Sequence, residues 1–407
     1  MRNLDHHTIQ ISLLEGEVSI QLSKNRSVFF RSNELQNLTY SQFDFALLAA
    51  FISSLTTGEK LYFDHPVTNV ALRQFDNYSR ALRILSPKQF EAPRIMCSNV
   101  IVPDVKNNHS NKKILTLSGG IDSTYAASSA MLEDATYTHC LLIKGFDYPL
   151  DNTTGFNELR LRVEKIADDL GLQLIVLETN LTDEFSSFGL QHTGALACCL
   201  QLMAGAGFES GAYAADFTAM GDVLRAPWGN CMGIASTLTT DRFPIRYLGS
   251  ERGRTEKIRW LAERKPGLFR YISVCRKEKS IGGNCGKCEK CARTRIGLMA
   301  ISDPRLRNEI EMSLFGDVSS YRDAFRLNAE SLKMARLFDL SVGLPDGEAR
   351  LLATDEIDKM IANQKRIHGM LKRKRSYTRI ARKLVGSGLR KLTPWRLRKE
   401  GALQNED

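Results

Sequence analysis

Six residues, Ser118-Gly119-Gly120-Ile121-Asp122-Ser123, stand between an apolar run (Ile114, Leu115, Leu117) and an alanine-rich stretch (TYAASSAML). A strand that breaks at two glycines and re-enters as a helix leaves few architectures open. The glycines let backbone approach an anion closely. The N–H groups of the following helix start point at that anion, with the favourable end of the helix dipole behind them. Serine hydroxyls add donors, and Asp122 supplies a hard oxygen ligand suited to Mg²⁺. A triphosphate matches this chemistry. No Gly-Lys-Ser/Thr follows, so the loop is not a Walker A motif, and the third glycine of the dinucleotide fingerprint is missing.

The flanking pattern predicts a parallel sheet. Tyr137 to Ile143 and Leu172 to Leu177 are further strands, and between them Leu159, Val163, Ile166 and Leu170 trace one face of a helix ending at Gly171. Strands alternating with helices of this length form βαβ units. Ser210 to Ala215 reads as a fourth strand, and Asp216 at its end faces the same crevice or caps the next turn. The fold class is therefore α/β, a parallel sheet with helices on both faces.

The loop resembles the SGGxDS signature of the PP-loop ATP pyrophosphatases, a superfamily that includes GMP, asparagine and argininosuccinate synthetases, NAD synthetase and RNA-modifying enzymes. The resemblance implies a HUP-like sheet and cleavage of ATP between its α- and β-phosphates. It also implies adenylation of a substrate carboxylate or carbonyl oxygen, then attack by a nitrogen or sulfur nucleophile. On that resemblance Ser118, Gly119, Gly120, Ile121, Asp122 and Ser123 bind ATP, Asp122 and Ser123 are also catalytic, and backbone at Ile143 contacts adenine. Lys144, just after that strand, is read as a solvated loop charge.

Cys275-x9-Cys285-x2-Cys288-x2-Cys291 places four thiolates within 17 residues. Clustered thiolates repel unless a cation holds them, and a Cys₄ set suits Zn²⁺. The spacing also begins like a ferredoxin run, but Ala292-Arg293-Thr294 replaces its fourth cysteine and proline. Zinc is thus favoured over an iron–sulfur cluster. The loop followed by these cysteines resembles the zinc-bearing 7-cyano-7-deazaguanine synthase family over about residues 112–300. That family likeness extends to the helix start Arg254-Thr255-Glu256-Lys257-Ile258 and to Arg293, and it makes Lys257 a catalytic candidate. Arg254, Lys257 and Arg293 are together the cations expected near a carboxylate or pyrophosphate. The segment Asp216 to Asp241 departs from the family.

The predicted organisation has four parts: a small α+β domain over 1–105, the PP-loop domain over 112–300 with its zinc element at 275–291, a helical region over 301–370 and a basic tail over 371–407. In the first part, Ile9, Ile11, Leu13 and Val18, Ile20, Leu22 alternate around Glu15-Gly16 as a hairpin. Ser41 and Asp44 suggest a capping box before the Phe43, Leu47, Phe51, Leu55 helix. Helices are expected at 303–314, 321–338 and 348–370. The formal charge of +10 concentrates at the end of the chain: twelve Lys and Arg and no acid lie in 371–399. The tail is either solvated or a docking element for nucleic acid, an acidic partner or an anionic membrane surface. A polar amino terminus and no apolar run near the ~20 residues of a membrane span predict a cytoplasmic protein.

The expected function is an ATP-dependent, AMP-forming ligase joining a carboxylate acceptor, small or macromolecular, to ammonia or an amine, with Mg²⁺ and structural Zn²⁺. Two other readings stay open. One is RNA thiolation, with Cys231 as sulfur carrier. The other is a non-catalytic zinc protein that binds nucleic acid.

Overall fold

Alternating Val18, Ile20 and Leu22 bury one face of the opening hairpin, as their period of two requires. The computed structural model describes residues 8–366 apart from 37, 56, 87–89, 103–110, 134–135, 186, 226–227, 241, 276–283, 320–322, 324–333 and 364. Strands β1 (Gln10–Leu14) and β2 (Glu17–Ser23) join through Gly16 at φ +76°, and β3 (Arg26–Arg31) extends the predicted hairpin to three strands.

Helix α1 (Asp44–Ser53) is buried throughout, and its start differs from the predicted capping box. Phe43 is the N-cap and makes no side-chain cap. Asp44 instead accepts from Thr68 N and Thr68 Oγ1, both at 2.8 Å, while Thr68 Oγ1 accepts from Ala71 N at 3.0 Å. A buried carboxylate is more stable on those two donors than left without a partner inside the core. It thereby fixes the start of α2 (Asn69–Leu85). Short strands β4 (Lys60–Phe63) and β6 (Arg94–Cys97) pair in parallel, as do β5 (Val67–Thr68) and β7 (Val100–Ile101).

From β8 (Lys113–Thr116) the chain alternates. Helix α3 (Ile121–Glu133) leads to β9 (His139–Lys144), then α4 (Thr153–Leu170), β10 (Gln173–Thr179), α5 (Phe188–Leu202) and β11 (Ser210–Ala214). Short helices α6 (Ala219–Arg225) and α7 (Met232–Ala235) precede β12 (Ile245–Leu248). Helices α8 (Arg254–Arg264), α9 (Glu289–Leu298), α10 (Pro304–Phe315) and α11 (Met334–Gly343) follow, and residues 348–363 are also helical. The α4 face formed by Leu159, Val163, Ile166 and Leu170 is buried as its period predicts.

The eight-stranded sheet has the order β1-β2-β3-β10-β9-β8-β11-β12. Strands β10, β9, β8, β11 and β12 are mutually parallel, whereas β1, β2 and β3 are antiparallel and β3 joins antiparallel to β10. The sheet is therefore mixed, not parallel throughout. The polar segment 106–113 does not close off a separate sheet, because the ladder Glu178↔Arg31 and Thr179↔Phe30 carries the opening strands into the central one. One unit spans Met1–Thr354 and a second spans Asp355–Asp407, so the divisions drawn at 105 and 300 fall inside the first.

Alternate strand residues feed two cores. Ile114, Leu141, Ile143, Ile175 and Tyr213 pack with residues of α1 and α5, while Leu115, Cys140, Leu142 and Ala212 pack with residues of α3 and α4. Helix α10 (Pro304–Phe315) matches the first predicted C-terminal helix, 303–314, closely. Of the second, expected at 321–338, α11 (Met334–Gly343) covers the last residues and runs past the predicted end. The basic run 371–399 lies outside the described residues. Among the described residues no helix is long and apolar enough to cross a membrane.

Candidate functional site

The glycine loop is shaped by short-range contacts. Gly119 sits at φ +74°, and a Cβ there would come within 2.9 Å of Val163 Cγ2, so both conformation and space exclude a side chain. Ser118 N donates to Ser123 Oγ at 3.2 Å, the two hydroxyl oxygens lie 3.1 Å apart, and Ser123 Oγ donates to Gly120 O at 3.2 Å. Thr124 N reaches back to Gly120 O at 2.9 Å. The N–H groups of the turn before it have no intrahelical acceptor, which is the donor set an anion requires. Ile121 is buried in the core, so only its backbone serves the loop.

The loop opens into a cleft of about 300 Å³ lined by Ser118, Gly120, Asp122 and Ser123, with Ile143 and Asp216 from neighbouring strand ends. Strand β8 is flanked by β9 on one side and β11 on the other, and ligands in open parallel sheets bind beyond the carboxyl ends of strands at such a switch point. Asp122 is the electrostatic hinge of the site. Arg254 Nη1 donates to its Oδ2, and Lys257 Nζ lies 3.4 Å from its Oδ1. Burial alone would raise the Asp122 pKa, but Arg254, Lys257 and Arg293 hold it below the ordinary carboxylate value.

Lys257 is 0% exposed and does not line the cleft. Its Nζ donates to Ala215 O at 2.7 Å as well as to Asp122. It stands behind Asp122, joining the loop to the end of β11, and positions the carboxylate rather than meeting a ligand. Lys144 is likewise spoken for: it pairs with Glu178 at 3.0 Å and is buried rather than solvated. Asp216 accepts from Trp228 Nε1 at 3.0 Å, which ties that indole to the end of β11.

Several lining residues carry no sequence signal. Arg225 and Arg336 enter from α6 and α11, and Phe146, His192 and Trp228 form an aromatic side. Each belongs to a segment with no motif, so only tertiary packing reveals it. Arg293, predicted from its place after the cysteines, does line the cleft with Arg254.

The four predicted cysteines converge. Their ligand atoms all lie within 4.8 Å of one another, with Cys288 Sγ 3.5 Å from Cys291 Sγ and 3.7 Å from Cys275 Sγ, and Cys285 Sγ 3.8 Å from Cys291 Sγ. Tetrahedral thiolates at about 2.3 Å from one zinc stand roughly 3.8 Å apart, so the cage fits a single Zn²⁺. A multinuclear iron–sulfur cluster places sulfides and several irons between its thiolates and needs a wider cage.

The cysteine element is tied to the glycine loop. Ser273 N donates to Gly119 O at 2.8 Å, two residues before Cys275, which itself lines the cleft. Buried Asn284 locks the element from both ends of its amide. Its Oδ1 accepts from Val274 N at 2.7 Å and Cys275 N at 3.3 Å, and its Nδ2 donates to Ile272 O at 3.0 Å and Leu314 O at 3.1 Å. Asn284→Ala strands four backbone groups and is expected to cost about 2–3 kcal/mol, read as a lower urea midpoint. An unchanged midpoint would contradict the role given to this amide.

Comparison of the chain with protein-family models, characterised proteins and solved structures yields no match.

Proposed function

We propose that this chain is an AMP- and pyrophosphate-forming enzyme of the PP-loop class, similar to zinc-bearing 7-cyano-7-deazaguanine synthases. It activates a substrate carboxylate or carbonyl oxygen with ATP and passes it to a nitrogen nucleophile. The observation that carries this reading is the donor-rich Ser118–Ser123 turn opening, at the carboxyl end of β8, into a cleft that also holds Arg254 and Arg293. Two cores on alternate strand residues support helices on both faces of the parallel strands, as a PP-loop fold needs.

In this reading the substrate oxygen attacks the α-phosphorus while the bond to the β-phosphate breaks and pyrophosphate leaves. The nitrogen then adds to the activated carbon and loses a proton, and AMP departs with the electrons of the broken C–O bond. The loop N–H groups and serine hydroxyls hold the phosphates. Arg254, beside the loop, stabilises the charge that develops on the leaving group. Asp122 and Asp216 are the carboxylates that would hold a Mg²⁺ accompanying the triphosphate, whose charge would help neutralise the phosphates. Backbone at the end of β9, at Ile143, takes the adenine edge.

Thiolation is the weaker reading. Cys231 does not line the cleft, and burial pushes its thiol up, away from the nucleophilic form. Incubation with ATP, Mg²⁺ and fractionated cell extract is expected to release pyrophosphate in an acceptor-dependent way, with AMP as co-product. Release of ADP, or no nucleotide cleavage with any fraction, would exclude the proposed reaction.

A further inference from the structure

We infer that Arg225, Arg293 and Arg336 form a second anion subsite in the cleft, separate from the glycine loop, which takes a carboxylate or phosphate oxyanion of the acceptor. The word acceptor rests on the function proposed above. The subsite itself rests on the charges.

Near the loop, Arg254 is paired through Nη1 with Asp122, although its Nε, too, has no hydrogen-bond acceptor. The other three guanidiniums are not matched in the same way. Among the described residues, Glu289 is the one carboxylate in ion-pair range of Arg336, at 2.7 Å, and of Arg293, at 3.7 Å, and none lies in that range of Arg225. The side chain of Arg293 is only 9% exposed, yet its Nε has no hydrogen-bond acceptor, and Arg336 Nε has none either. Buried donors of this kind are costly until an anion meets them, and a guanidinium fork matches a carboxylate or phosphate in geometry. Burial first, and then repulsion from Arg254, lower the Arg293 pKa to about 10, while burial and then Arg336 lower that of Arg225. An oxyanion relieves both effects.

The groups are held in place before any ligand arrives. Arg225 lies over the Trp228 ring at 4.7 Å, and Trp228 is fixed by Asp216. Arg336 rides on α11, which is anchored one turn later by half-buried Asp339. That carboxylate accepts from Thr255 N at 3.2 and 3.3 Å and from Thr255 Oγ1 at 2.9 Å. Helix α11 lies beyond the segment with family likeness, so this chain's own C-terminal region completes the cleft.

The test titrates inorganic phosphate and benzoate, by calorimetry, into the full chain saturated with Mg²⁺ and α,β-methylene-ATP. At least one anion should bind the loaded protein. Its affinity should fall at least tenfold in Arg336→Gln and also in Arg225→Gln, a change that breaks no ion pair among the described residues. Ser118→Ala should weaken the nucleotide analogue and leave anion binding unchanged. Tighter phosphate binding assigns a phosphorylated acceptor, and tighter benzoate binding a carboxylate. The inference is overturned if neither anion binds the loaded protein, or if binding survives both arginine changes. If the analogue itself fails to bind, the ATP reading falls, and the same arginine dependence in the unloaded protein still decides the subsite.

Discussion

Replacing Cys288 or Cys291 by serine is expected to unfold the 254–316 region, not merely to slow turnover. Cys275 and Cys291 are buried in a cluster with Ile121 and Tyr125 of α3, Ile258 and Leu261 of α8 and Ile310 and Leu314 of α10. Four thiolates within 4.8 Å of one another and without a cation repel one another within that core. Apparent binding energies of structural zinc in small zinc-finger peptides reach about 10–16 kcal/mol, and a whole domain is stable by only about 5–15 kcal/mol. Losing one ligand therefore removes a sizeable share of the stability of this unit. Elemental analysis should find about one zinc per wild-type chain, and either variant should lose both the metal and the cooperative thermal transition. A variant that lost its zinc yet melted like wild type would show that the cage is not structural.

Asp122→Ala should affect stability and chemistry together. It leaves Lys257, wholly buried, and Arg254 without their shared carboxylate. Removing one partner from a buried ion pair typically costs about 3–5 kcal/mol. Loss of a group organising charge at the phosphates should also lower AMP formation about 10²–10³-fold. The isosteric Asp122→Asn separates the two effects through pH. Because the folded pKa of Asp122 is depressed, its contribution is fully present above the unfolded value near 4. It is lost as pH falls through the lower folded value. The wild-type advantage over Asp122→Asn in urea midpoint should thus be largest near neutrality and shrink in acid. A gap that stays constant with pH would remove Asp122 from the ion-pair role.

How much of this was legible beforehand follows the range of the interactions. The strand, turn and helix around Ser118–Ser123 are set by hydrogen bonds spanning at most a few residues, so their pattern is written contiguously. The cysteines converge because 17 residues of chain can close on one point. The α4 face could be read from its period alone. Asp44 shows the opposite case: its spacing from Ser41 suggested a cap, but Thr68, 24 residues away, offered two buried donors and won.

Sequence alone determined the glycine-rich turn, the thiolate cage and the alternation of strands and helices, because each depends on neighbours in the chain. Tertiary structure alone decided that the opening hairpin belongs to the central sheet, since backbone pairing with β10 has no side-chain code. It also decided that Lys257 stands behind Asp122 while Arg225, Arg293 and Arg336 face the cleft. Those three arginines come from separate helices spread over more than 100 residues. Charge acts through space, and only packing brings such distant charges within range of one ligand.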